Sequence, residues 1–133
     1  RRVKAEVAEA LALRRGVSLA RDEGFSNVIF KIDCLSMVQR LISPSRDRSM
    51  VGSVLVDVKS MAEGLSSVAF HHVRRHCNVL AHVLARSCLN STSLCIFHYA
   101  PDCIRETLCN FVQVINKADI SLKKVSWQSD YTV

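Results

Sequence analysis

Asn27-Val28-Ile29-Phe30-Lys31-Ile32-Asp33 decides how this chain folds. Its residues are mostly β-branched or aromatic, and the run is short, so it reads as a buried strand that closes on a carboxylate. Working upstream, Glu23-Gly24 stops a helix expected from about Val3 to Asp22. In that helix Val3, Val7, Ala10, Leu11, Val17 and Ala20 recur at three- and four-residue steps. Working downstream, a helix over 35–42 leads into the polar loop 43–49. Val51, Val54, Leu55, Val58, Met61, Ala62 and Leu65 then form one helical stripe.

A second strand is expected over 67–73, Ser-Val-Ala-Phe-His-His-Val, followed by a fourth helix from Asn78 to about Cys88. Pro101-Asp102 opens a fifth helix, with Ile104, Leu108, Phe111, Val112 and Ile115 on its face. The pattern fades beyond Asn116. The expectation is one domain over 1–116 and a loosely ordered tail over 117–133, despite Trp127 and Tyr131.

Strands joined through helices lie parallel, and parallel strands are normally covered on both faces. The class is therefore α/β, with two parallel strands and flanking helices. Two strands make a small sheet for five helices. The sequence predicts further strands upstream of Arg1, which is not a methionine. A sheet edge left bare by their absence would favour self-association.

Of 133 residues, 49% are apolar, enough for a real core. No apolar run approaches the ~20 residues that span a bilayer, and no secretory pattern opens the chain. An intracellular protein, nuclear or cytoplasmic, is expected, with no membrane partner. The net charge of +6 is uneven: residues 1–48 carry ten basic and six acidic side chains, residues 99–133 four of each. A modest positive excess suits a nucleic-acid partner but does not require one. The six cysteines include no C-x-x-C pair, so reduced and mostly buried thiols are expected, with no structural disulfide.

Two acids carry the first chemical signal. Glu9 lies in the first helix, and Asp33 ends the first strand 33 − 9 = 24 residues later. Ligands of open α/β sheets gather at the carboxyl ends of strands, where Asp33 sits. Two acids meeting there repel unless a cation or proton intervenes. Taken singly, Glu9 also reads as a solvated helix acid and Asp33 as a helix cap.

The order of segments adds a resemblance. Ala8-Glu9-Ala10-Leu11-Ala12-Leu13-Arg14-Arg15-Gly16-Val17, then Val28 to Cys34, resembles the middle of a type 1 ribonuclease H domain. The block from Phe70 to Arg86, Phe-His-His-Val-Arg-Arg-His-Cys-Asn-Val-Leu-Ala-His-Val-Leu-Ala-Arg, is similar to its last strand and following helix. The likeness is closest to the plant subfamily related to retrotransposon reverse transcriptases, over roughly residues 5–115. It implies a ribonuclease H-like α/β fold lacking its opening antiparallel strands. It also implies endonucleolytic cleavage of RNA in RNA–DNA hybrids by two Mg2+ ions held by four carboxylates. Magnesium takes oxygen ligands, and paired metals stabilise both attacking and leaving oxygens at one phosphorus.

Carried over by position, Glu9 and Asp33 match the second and third carboxylates, and the first belongs on a strand this chain lacks. The fourth position falls on His82, where imidazole is a poor magnesium ligand. His82 otherwise reads as a helix-surface residue in line with Asn78 and Arg86. His72, Arg74 and Arg75 read as a cationic lip touching phosphates of an RNA–DNA hybrid or duplex RNA, or else as a solvated strand end. A zinc site from His72, His76, Cys77 and His82 lacks finger or ribbon spacing. With two of four carboxylates in hand, the resemblance implies impaired cleavage. The alternatives are a nucleic-acid-binding module that lost the metals and a partner-docking remnant of the fold.

Overall fold

In the computed structural model, residues 2–44, 46–87, 99 and 101–105 are described. Helix α1 (Arg2–Asp22) buries Ala10, Leu13, Val17 and Ala20, at steps of three and four that keep them on one face. It ends at Gly24, whose φ of +75° is a left-handed conformation that glycine adopts without steric cost. Two hydrogen bonds close the end: Gly24 N–H to the Arg21 carbonyl at 3.0 Å, and Phe25 N–H to the Ala20 carbonyl at 2.9 Å. This crossed pair satisfies carbonyls that the last helical turn leaves open.

Strand β1 (Asn27–Ile32) alternates, with Val28, Phe30 and Ile32 buried and the residues between them more accessible. It pairs in parallel with β2 (Ser67–His72), from Asn27 opposite Ser67 to Ile32 opposite His72. Bonds from Ser67 N–H to the Ser26 carbonyl (2.8 Å) and from Val73 N–H to the Ile32 carbonyl (2.9 Å) bracket the ladder. The Phe30 and Phe70 rings stack on one face of the sheet, centroids 5.6 Å apart. Among the described residues β1 has β2 as its one strand neighbour.

Helix α2 (Leu35–Ile42) lies against both strands, burying Met37, Val38 and Leu41. Helix α3 (Met50–Ala62) packs on α1 through Val51, Val54, Leu55, Val58 and Ala62. The predicted stripe runs on to Leu65, but the helix stops at Ala62. A turn closed by Leu65 N–H on the Ala62 carbonyl (3.0 Å) then delivers Leu65 to the core. These apolar residues form one cluster shared by α1, β1, α2 and α3. Full burial of each large aliphatic side chain contributes about 1.5–3 kcal/mol. A 3-10 turn, Arg75–Cys77, which the sequence reading did not anticipate, joins β2 to α4 (Val79–Ser87).

Polar contacts fix the entry to α3. Ser49 Oγ accepts from Gly52 N–H at 3.1 Å, and Asp47 Oδ1 accepts from Ser49 N–H at 2.9 Å. A Cβ on Gly52 would collide with the Asp47 backbone oxygen, so this close approach needs glycine. The Arg40 guanidinium reaches Asp47 at 2.9 Å, Ser49 Oγ at 3.3 Å and Glu6 at 3.6 Å. Hydrogen bonds from Ser49, then the Arg40 charge, hold the Asp47 carboxyl below its ordinary value. Ser49→Ala is expected to destabilise the fold by about 1 kcal/mol, the usual worth of such a cap. Urea denaturation measures it, and a midpoint equal to that of the native chain would contradict the capping role.

The α/β expectation of two parallel strands with flanking helices agrees with this architecture. Residues 102–105 are helical where the fifth helix was expected; the rest of that helix and the 117–133 tail lie outside the described residues. The expectation of mostly buried thiols is corrected in part. Cys34 is half-buried, but Cys77 and Cys103 are exposed, because the 3-10 turn and the 101–105 segment present them to solvent. Among the described residues no helix is long and apolar enough to cross a membrane.

Candidate functional site

The carboxyl end of β1 gathers side chains from four elements. Asp33 follows the strand directly, because alternation puts Ile32 into the core and the next residue onto the other side. Glu9 stands on α1 one residue before the fully buried Ala10, on the flank that leads out of the core. His82 lies on α4 two residues from each of the buried Leu80 and Leu84. At 3.6 residues per turn it projects from roughly the opposite flank. There its Nε2 comes within 3.1 Å of Asp33 Oδ2. The two side chains are 34% and 19% exposed, so water screens this contact less than a surface pair.

Electrostatics ties Glu9 to the same place. Its carboxyl is pushed above the ordinary value of 4.5, first by partial burial and next by the Asp33 charge. Glu6 adds to the push, whereas a hydrogen bond from the Cys34 thiol and the positive Arg75 oppose it. Cys34 Sγ also lies 3.2 Å from Ser36 Oγ. Arg75, in the 3-10 turn, therefore sits beside the acids. His72, the last residue of β2, and Arg74 are exposed and adjoin Arg75 in the chain. The sequence reading did not single out Cys34 and counted it among the buried thiols. Its place immediately after Asp33 was the available signal.

A family model described as reverse transcriptase-like matches residues 1–88. The chain belongs to this family. The reverse transcriptase-like family is ribonuclease H-like, and the match covers α1 through α4 with every site residue named above. No curated protein and no solved structure gives a significant match.

Reverse transcriptase-like domains of this ribonuclease H type generally use Mg2+. The side chains here fit that ion poorly. Imidazole nitrogen stands where an oxygen donor would serve magnesium better. Among the described residues, no three His, Cys, Asp or Glu side chains converge tightly enough to hold an ion by themselves.

The raised Glu9 value has a measurable consequence. The folded state holds that proton more tightly than the unfolded chain, so the linked stability is present in acid and lost as pH rises past 4.5. Glu9→Gln removes the penalty. The variant is expected to melt above the native chain at about pH 7 and level with it below about pH 4. Thermal melts across that range read the difference, and a variant that melts lower at neutral pH would contradict the crowding of Glu9 against Asp33.

Proposed function

We propose that this chain is a ribonuclease H-type nucleic-acid-binding domain, with RNA–DNA hybrid as its ligand and impaired magnesium-dependent cleavage. The observation that carries this reading is the meeting of Glu9, Asp33, Arg75 and His82 at the end of β1. Membership of the reverse transcriptase-like family supports it independently. Arg74, Arg75 and His72 would contact phosphates along one lip, positioning a backbone without reading its sequence. Glu9 and Asp33 would be the acids that hold Mg2+, which would supply charge stabilisation at the reacting phosphate.

The 3.1 Å approach of His82 to Asp33 favours a second reading of the same site, in which hybrid is bound but not cut. The imidazole then takes up the acid that the family offers to magnesium. A gel-based assay with labelled hybrid separates the two readings. Binding that weakens steeply with salt and no cutting in Mg2+ is the expected result. Efficient Mg2+-dependent cutting, lost in Asp33→Asn, would restore full catalysis. Affinity unchanged between low and high salt would end the nucleic-acid reading altogether.

A further inference from the structure

Between Glu63 and Asp102 the chain carries no acidic residue. The tip of β2 and the turn after it present His71, His72, Arg74, Arg75 and His76, all exposed. Their backbone is held in place. Val73 N–H bonds to the Ile32 carbonyl at 2.9 Å. The turn closes through Cys77 N–H on the Arg74 carbonyl (2.8 Å) and Asn78 N–H on the Arg75 carbonyl (3.1 Å). Strand alternation sends His71 and His72 to opposite faces of the sheet, so the tip offers an imidazole on each side. On the neighbouring strand, Lys31 stands opposite His71 and the apolar Ile32 opposite His72. Asp33, next along β1, is engaged by His82 of α4, and Glu9 of α1 feels the Arg75 charge. Arg40 of α2 is taken up by Asp47 and Glu6, and Arg86 is the other charged residue of α4. Among the described residues no carboxylate comes within ion-pair distance of His71, His72 or His76. A proton taken up by any of the three therefore adds positive charge to the surface and completes no internal pair.

We infer that the phosphate-contacting lip extends to His71 and His76, and that these imidazoles, with His72, neutralise nucleic-acid phosphates once protonated. Imidazole is the side chain that ordinarily gains and loses its charge between about pH 5 and pH 8. Across that interval the segment 71–76 passes from two fixed charges, Arg74 and Arg75, to five. Phosphodiesters keep their charge throughout, so the change lies on the protein. Each phosphate neutralised releases condensed counterions, and a neutral imidazole releases none. Acid should therefore tighten binding and steepen its dependence on salt together. This deepens the hybrid-binding reading above and rests on it, adding two contact residues and a dependence on pH.

The test is fluorescence anisotropy of labelled RNA–DNA hybrid with the full chain, at about pH 5.5 and about pH 7.5 and over a salt series at each. The proteins are the native chain, His71→Gln/His76→Gln and His71→Arg/His76→Arg, each checked for folding by circular dichroism at both pH values. Each protein is judged by its own ratio of affinities at the two pH values. At about 0.1 M salt the native chain should bind about a hundred- to a thousandfold more tightly in acid, with a salt slope steeper by about two to three. In the glutamine variant the ratio should fall to about tenfold, the share left to His72. The arginine variant should show the same small ratio, but with tight binding already present at the higher pH. Equal affinity and equal salt slope at both pH values in the native chain would overturn the inference and leave the hybrid-binding reading standing. A glutamine variant with the native ratio would overturn it too, moving the acid dependence to Glu9 or His82. No hybrid binding at either pH would end the inference and that reading together.

Discussion

Phe30→Ala is expected to destabilise the protein by about 3–5 kcal/mol, the largest effect of any single substitution considered. The ring is 3% exposed, and its deletion leaves a hole bordered by the apolar cluster of α1, α2 and α3. It also removes the stacking on Phe70 at 5.6 Å, an arrangement worth about 0.5–1.5 kcal/mol beyond the area buried. Domains of this size are stable by about 5–15 kcal/mol, so the loss takes a large share of the total. Phe30→Leu should recover much of it, because leucine refills part of the volume. Urea denaturation of both variants gives the numbers; a loss under about 1 kcal/mol for alanine would mean that the β1 face is not the packed centre of the molecule. Asp33 lies three residues beyond Phe30, so any slackening of β1 also loosens its hold on His82.

The double variant Arg74→Ala/Arg75→Ala should bind RNA–DNA hybrid about a hundredfold more weakly at about 0.1 M salt. Each phosphate contact contributes close to tenfold there through counterion release. The slope of log affinity against log salt should flatten by about two. Both residues are exposed, so the melting temperature should change little. That separation of binding from stability is what distinguishes a phosphate-contacting lip from a structural element. Arg75→Ala alone should in addition raise the Glu9 carboxyl further, because it removes a charge that holds that value down. An unchanged salt slope in the double variant would remove these arginines from the interface.

Periodicity made some of this molecule readable in advance. Ala10, Val17 and Ala20 declared one face of α1, and the β-branched run from Val28 to Ile32 declared a strand, because burial acts on both through simple repeats. The stripe of α3 overran the helix at Leu65, since a turn can bury an apolar residue as well as a helix can. The 3-10 turn at Arg75–Cys77 left no periodic trace, being three residues long. At the site, Glu9 and Asp33 were paired by strand-end logic and by resemblance. The approach of His82 to Asp33 and the Cys34 thiol beside Glu9 depend on how α4 and α2 dock, which no local pattern encodes.

Residues 9, 33, 75 and 82 come from separate segments that only the folded chain assembles. No excised peptide can keep their chemistry, and a ligand bound to all four would act as a clasp across α1, the sheet and α4. Occupancy should therefore slow hydrogen exchange in all of these elements together, including amides far from any contact with the bound species.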